Sequence, residues 1–176
     1  MFGGLPARST QPVVTETVES EHMPVRFRPR LVNQLLQEHE NLRALMRALL
    51  DACRAPDEDA RIIGLRNVAD AFRQMSLTKS VQLYPYLRWA LESDRMATIQ
   101  FKALQADVQR SLRNAEAILG EYLEGPWLSA TRRRLVGDIA RLAGLLGRAL
   151  KQEEANMFPL YLPPGQYRHV RDAASF

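Results

Sequence analysis

The sequence predicts an all-α protein, an antiparallel up-down four-helix bundle with an irregular N-terminal arm and a C-terminal tail. Three observations lead to this prediction. Apolar residues recur at steps of three and four along four long segments, which is the spacing of a single helix face. The connections between these segments are short, as they are between antiparallel neighbours in a bundle. No segment alternates apolar and polar residues with period two over a useful length, so strands are not expected.

The bundle is expected at residues 29–162, between an arm of residues 1–28 and a tail of residues 163–176. Prolines and glycines punctuate the arm, and its middle is rich in Ser, Thr and Glu without helical periodicity. We expect Val25 and Phe27 to anchor the arm on the bundle.

The first helix should span about Pro29–Arg54, because proline suits the first turn of a helix. Its stripe, the row of residues on the helix face that is expected to be buried, is Leu35, His39, Leu42, Met46, Leu49 and Cys53. The second segment should span about Glu58–Glu92, with Asp57 as N-cap. Its stripe is Leu65, Val68, Phe72, Met75, Lys79, Gln82 or Leu83, and Tyr86. Pro85 lies inside this segment and should kink or end the regular helix, because it removes a backbone hydrogen bond.

The third helix should span about Asp94–Leu123, with Ser93 as N-cap. Its stripe is Ala97, Phe101, Leu104, Val108, Ser111, Ala115, Ile118 and Tyr122. The fourth should span about Ala130–Phe158, with Ser129 as N-cap. Its stripe is Leu135, Ile139, Leu142, Leu146, Ala149, Glu153 and Asn156. Pro159 repeats the role of Pro85.

Three of the stripes contain an ionisable residue: His39, Lys79 and Glu153. Soluble proteins rarely bury such residues without a partner or a function. These three positions are therefore the candidate site.

The chain is also weakly self-similar. The stretch Leu83-Tyr84-Pro85 in the second segment matches Met157-Phe158-Pro159 in the fourth, and the stretch around His39 lines up with the one around Phe101. A bundle built from two such halves has a pseudo-twofold axis, and a site on that axis would draw on all four helices.

With these motifs the chain resembles the hemerythrin-like (HHE cation-binding) family, over roughly residues 30 to 162. The resemblance implies a four-helix bundle with a non-heme di-iron centre that binds or senses dioxygen. The family pattern has a His in an "EHxxL" stretch on helices one and three. On helices two and four it has a His, a Glu four residues later, and an aliphatic-aromatic-Pro ending.

Carried over residue by residue, the pattern retains two of its six ligands. His39 matches in Glu38-His39-Glu40-Asn41-Leu42, and Glu153 matches six residues before Pro159. The other four ligand positions hold Met75, Lys79, Phe101 and Ala149. Two protein ligands cannot hold a di-iron pair, and an ammonium would repel a metal ion. No metal ligand is therefore expected, and if iron is retained the candidates are His39 and Glu153.

We expect Lys79 and Glu153 to form a buried ion pair near His39, as a metal-free substitute for the family's centre. Simpler interpretations stay open at this stage. Lys79 could extend to the surface beside Pro85, His39 could be a hydrogen-bonded core residue, and one of Glu153 and Glu154 could be solvated.

Three functions follow from these patterns. The first is a non-enzymatic regulatory or interaction module without a cofactor. The second is residual iron binding or dioxygen sensing through His39 and Glu153. The third is the binding of a small apolar ligand in a cavity of the core, left where Met75, Phe101 and Ala149 stand in place of the family's metal ligands. An enzyme is not expected, since the single cysteine, Cys53, has no obvious histidine partner.

The net charge of +4 is modest, and 21 of the 24 basic residues are arginine. Candidate surfaces for an unknown protein partner are the run Arg132, Arg133 and Arg134 and the cluster of Tyr84, Tyr86 and Trp89. Nucleic-acid binding is not expected, because stacking aromatics do not interleave with the basic residues. No stretch approaches the ~20 apolar residues that span a bilayer. We expect a cytoplasmic protein, with a homodimer as a candidate assembly.

Overall fold

The computed structural model describes residues 26–124 and 129–167, except for the side chains of 129–132, and over these residues it is helical without strands. Its α-helices are α1 (Leu31–Arg54), α2 (Glu58–Thr78), the short α3 (Tyr84–Ala90), α4 (Arg95–Glu124) and α5 (Ser129–Gln152). Its short elements are two π-helical turns (Lys79–Leu83 and Glu153–Met157) and two 3₁₀ turns (Phe158–Leu160 and Pro164–Gln166). The prediction of an all-α helical bundle is confirmed at this level.

The helices pack around one shared apolar core. α1 packs on α2 and α5, α2 packs on α4, and α4 packs on α5. On α1 every predicted stripe position is buried, including His39 and Cys53. Burial raises the pKa of the Cys53 thiol, so this residue packs as a small hydrophobe.

One of the two testable N-cap predictions is confirmed. The Asp57 carboxylate accepts a hydrogen bond from the Ala60 N–H at 3.0 Å. The prediction of Ser93 is wrong, because the Asp94 carboxylate accepts from the Ala97 N–H at 2.9 Å and α4 begins at Arg95. The side chain of Ser129 is outside the described residues.

The buried face of α4 departs from its predicted stripe at three places, and the first is Ala97, which is only half-buried. Gln105 and Leu112 are buried, whereas Leu104 and Ser111 are only half-buried. Residues three and four positions along a helix lie on the same face, so either can occupy the buried position of a turn. The predicted positions near the end of α4, Ala115, Ile118 and Tyr122, are buried, so the face as a whole is predicted correctly.

Each internal proline follows a π-helical turn. The N–H of Tyr84 bonds to the carbonyl of Lys79, and the N–H of Phe158 bonds to that of Glu153, both five residues back. The predicted end of the regular helix near each proline is confirmed, although the change begins several residues earlier. The wider turn also explains a wrong stripe prediction, because Met157 is buried and Asn156 is exposed.

The start of the described chain and its end meet at one end of the bundle. The Phe27 ring stacks on Tyr161 at a centroid distance of 5.2 Å, and the Arg28 N–H donates to the Tyr161 hydroxyl at 2.9 Å. The expected anchoring by Phe27 is confirmed, and Val25 is outside the described residues. Among the described helices, none is both long and apolar enough to cross a membrane.

Candidate functional site: a buried polar cluster

The three ionisable stripe residues meet inside the core. His39 comes from α1, and Lys79 and Glu153 are the first residues of the two π-helical turns. All three are 0% exposed. The Lys79 ammonium bonds directly to the Glu153 Oε2. The interpretation that Lys79 extends to the surface is therefore wrong, and the expected buried pair is present.

The Glu153 carboxylate accepts two side-chain hydrogen bonds and has His39 close by. The Tyr84 hydroxyl donates to Oε1 at 2.8 Å, while Lys79 donates to Oε2. The His39 Nε2 lies 3.5 Å from the same Oε2. The ammonium and the hydroxyl replace the water that this buried carboxylate has lost.

His39 links this pair to the surface. Its Nδ1 lies 2.6 Å from the Glu154 Oε1, and the Arg43 Nη2 donates to the same oxygen at 2.7 Å. The Glu154 side chain is 25% exposed, so Glu154 is a bonded member of the cluster. Because a carboxylate can only accept, neutral His39 carries its proton on Nδ1. Its Nε2 then faces the interior and has no hydrogen-bond partner among the described residues.

Burial shifts the titration of these groups. It lowers the pKa of His39, and the nearby Lys79 ammonium lowers it further, against the opposing effect of Glu154. Burial also lowers the pKa of Lys79, although Glu153 partly opposes this. Burial and the adjacent Glu153 raise the pKa of Tyr84, which stays a hydroxyl donor. For Glu154, burial acts to raise the pKa, but the hydrogen bonds from His39 and Arg43 outweigh it and lower the pKa.

The remaining three positions of the predicted site are apolar and packed. Met75 and Ala149 are 0% exposed and Phe101 is 1% exposed. The bundle surface carries grooves of about 180 Å³ between α1 and α5 and about 310 Å³ between α2 and α4. None of the three side chains lines either groove. The small-ligand hypothesis therefore gains no support from these grooves.

Sequence reasoning missed two contributions to the cluster, those of Arg43 and Tyr84. Arg43 follows His39 by four residues, so the two share a helix face, and this spacing was a usable signal. Tyr84 follows Lys79 by five residues, and this spacing faces the same way only across a π-helical turn, which the sequence did not reveal.

The aromatic surface predicted for a partner is mostly buried. Tyr84 is 4% exposed and Tyr86 is 0% exposed, so this part of the prediction is wrong, whereas Trp89 is 49% exposed. Tyr84 faces inward because its hydroxyl bonds to Glu153. The Tyr86 ring packs against Tyr161 and its hydroxyl donates to the Leu162 carbonyl at 2.5 Å.

The arginine run is only partly described. Arg133 and Arg134 are exposed, and Arg134 pairs with Glu121 at 3.0 Å. The side chain of Arg132 is outside the described residues.

The cluster does not fit the iron centre that the resemblance implies. Among the described residues, no group of three or more His, Cys, Asp and Glu is arranged to hold a metal ion. The positive charge of Lys79 occupies the place next to Glu153, and Nδ1 of His39 is bonded to Glu154. Met75, Phe101 and Ala149 offer no hard nitrogen or oxygen ligand for iron.

Comparison of the chain with protein-family models, with curated proteins and with solved structures found no significant match in any of the three.

Proposed function

We propose that this chain is a hemerythrin-like, antiparallel four-helix bundle in which a buried ion pair stands where that family holds iron, and that it serves as a non-enzymatic regulatory or interaction module. The observation that carries the proposal is the bond between Lys79 and Glu153. Each of them begins a π-helical turn six residues before a proline, so the two halves of the chain place them at equivalent positions.

The contacts support the up-down arrangement. His39, near the start of α1, meets Glu154, which follows the end of α5, so these helices run in opposite directions. Lys79 and Glu153 follow the ends of α2 and α5 and meet each other, which puts these two ends at one level. A bundle in which α1 and α4 run one way and α2 and α5 the other meets both conditions.

The chemistry of the cluster favours a structural role in the core. An ammonium supplies the positive charge that a bridging metal would otherwise provide between the helices. The side chains of Lys79 and Glu153 are fully buried, so a substrate could not reach them without opening the bundle. The function then lies at the surface, in the binding of another protein.

The test is iron content of the full chain, purified without chelators, before and after anaerobic loading with Fe(II). Inductively coupled plasma mass spectrometry should find far less than one iron per chain in both samples. The matched variant restores the family's ligands through Met75→His, Lys79→Glu, Phe101→His and Ala149→His. It should take up iron and develop a charge-transfer band in the visible spectrum.

Near-stoichiometric iron in the wild-type chain, lost in His39→Ala and in Glu153→Ala, would overturn the proposal and favour the iron-binding alternative. This wild-type result decides the question even if the restored variant fails to fold. Folding of each variant is monitored by far-UV circular dichroism.

A further inference from the structure

The two halves of the chain continue differently after their π-helical turns. After Pro85 the chain continues as α3, whose end is held by a backbone hydrogen bond from the Leu91 N–H to the Leu87 carbonyl at 3.0 Å. After Pro159 the chain leaves the helix through a 3₁₀ turn and runs on as an irregular segment. We call residues 158–167 the strap. The second half therefore ends in a segment that is not part of a long helix.

The strap is bonded mainly to itself. Four of its N–H groups donate to carbonyls two or three residues back within the strap, those of Tyr161, Leu162, Gln166 and Tyr167. The Tyr167 hydroxyl donates to the Leu160 carbonyl and accepts from the Leu162 N–H at 3.0 Å. Among the described residues, none of these N–H groups bonds to the backbone of α1–α5. The internal hydrogen bonds of the strap can therefore stay intact when it moves.

Tyrosine hydroxyls and aromatic rings hold the strap on the bundle. The Tyr86 hydroxyl donates to the Leu162 carbonyl at 2.5 Å, and the Arg28 N–H donates to the Tyr161 hydroxyl at 2.9 Å. The centroid of the Tyr161 ring lies 4.6 Å from that of Tyr86 and 5.2 Å from that of Phe27. Each hydrogen bond of this kind contributes only a small part of the stability of a domain. These contacts can therefore break locally while the helices stay folded.

The strap begins directly on the buried cluster. The Phe158 ring lies 5.3 Å from the His39 ring, centroid to centroid, and Phe158 is only 6% exposed. The Phe158 N–H bonds to the carbonyl of Glu153, whose carboxylate binds Lys79. Movement of the strap away from the bundle would take Phe158 off His39 and uncover this side of the cluster.

We propose that the strap is a gate over the buried cluster, a segment whose movement admits solvent. It opens as a unit while α1–α5 stay folded, and its opening exposes His39, Lys79 and Glu153 to water and small solutes. The equivalent end of the first half is closed by α3 and does not open in this way. This inference needs only the contacts of the strap, so it does not depend on the absence of iron.

The first test is amide hydrogen exchange, measured by NMR on the unmodified full-length chain. The amides of Phe158 and Tyr84 form a matched pair, because each donates to a carbonyl five residues back in one of the two π-helical turns. After correction for intrinsic rates, the Phe158 amide should exchange at least about tenfold faster than the Tyr84 amide. Equal exchange, or slower exchange at Phe158, would overturn the gate.

A pair of tyrosine variants makes the test specific. Tyr86→Phe keeps a buried ring and removes the hydroxyl that donates to Leu162. Tyr122→Phe is the control, because it removes a buried hydroxyl that joins α4 to α5 at 2.6 Å. Tyr86→Phe should speed exchange at Phe158 by about two- to tenfold, the effect of one lost hydrogen bond, and leave Tyr84 unchanged. Tyr122→Phe should not speed exchange at Phe158.

Access to the cluster is measured with diethyl pyrocarbonate, which modifies a free imidazole nitrogen. The His39 Nε2 has no hydrogen-bond partner among the described residues, so its burial is what protects it. Mass spectrometry of the peptide that contains His39 gives the rate of modification. This rate should rise in Tyr86→Phe by the same factor as exchange at Phe158, and it should stay unchanged in Tyr122→Phe.

Two further outcomes would contradict the gate. Faster exchange at Phe158 without faster modification of His39 would show that the strap moves without exposing the cluster. Equal acceleration of the modification in Tyr86→Phe and Tyr122→Phe would show that the reagent enters through general loosening of the bundle. Circular dichroism confirms that both variants are folded.

Discussion

Replacing Lys79 by methionine tests the energetics of the cluster directly. The substitution preserves most of the volume of the side chain and removes its charge. Glu153 then keeps the hydrogen bond from Tyr84 at 2.8 Å but loses the donor on Oε2, where its nearest remaining neighbour is the His39 Nε2 at 3.5 Å. Removing one partner of a buried pair typically costs about 3–5 kcal/mol, because the other charge is stranded.

Because Tyr84 still stabilises one oxygen, we expect Lys79→Met to lower the free energy of unfolding by about 3–4 kcal/mol. For a chain of this length the midpoint of thermal unfolding should fall by roughly 6–16 °C. Urea titration followed by circular dichroism measures the first quantity and a thermal scan the second.

Two further variants control this experiment. The exposed Lys102, changed to Met on α4, should shift stability by no more than about 0.5 kcal/mol. The double variant Lys79→Met/Glu153→Met should regain most of the loss, since no charge is left unpaired. If Lys79→Met proves neutral or stabilising, the reasoning about a charged and mutually dependent pair is refuted.

Three more predictions follow from the same contacts. The pKa of His39 is lowered from 6.5 in the folded protein, so around and below that pH the unfolded chain binds more protons than the folded one. The free energy of unfolding should therefore fall as the pH decreases from about 6.5. Urea titrations at several pH values should show this slope in the wild type and a smaller slope in His39→Gln. Tyr84→Phe removes a donor to the Glu153 carboxylate and should cost about 1.5–3 kcal/mol in a urea titration, and a neutral result would mean that this hydrogen bond is not formed. Gly137→Ala should raise the free energy of unfolding by about 0.5–1 kcal/mol, because alanine favours the helix and the new methyl group meets no neighbour. Gly64→Ala should give no such gain, because the methyl group added at Gly64 would lie 3.1 Å from Leu49 of α1. An equal gain in both variants would contradict this close packing of α1 and α2.

The stripe on α1 shows how far periodicity carries a prediction. All its predicted positions are buried, because a helix of 24 residues with steps of three and four drifts little. The stripe on α4 was predicted less well, since steps of three and of four residues both stay on one helix face and the sequence did not show that Gln105 and Leu112 would be buried in place of Leu104 and Ser111. The cap of α4 was missed for a local reason: Ser93 and Asp94 are adjacent and either suits an N-cap.

The candidate site was predicted in part. The spacing of Lys79 and Glu153 from the two prolines indicated that they would meet, because the two halves of the chain repeat. That Glu154 would bond to both His39 and Arg43 could not be read from separate stripes, since such contacts depend on how α5 is rotated against α1.

The sequence by itself determined the helical class, the positions of the core faces and the presence of three ionisable residues on them, because periodicity and residue type are local properties. Only the tertiary structure decided whether Lys79 would reach solvent or Glu153, and whether Tyr84 would face a partner or the core. The physical reason lies in the π-helical turns. Each widens the helix by a fraction of a turn just before its proline, and that small rotation brings the ammonium, the carboxylate and the tyrosine hydroxyl into contact.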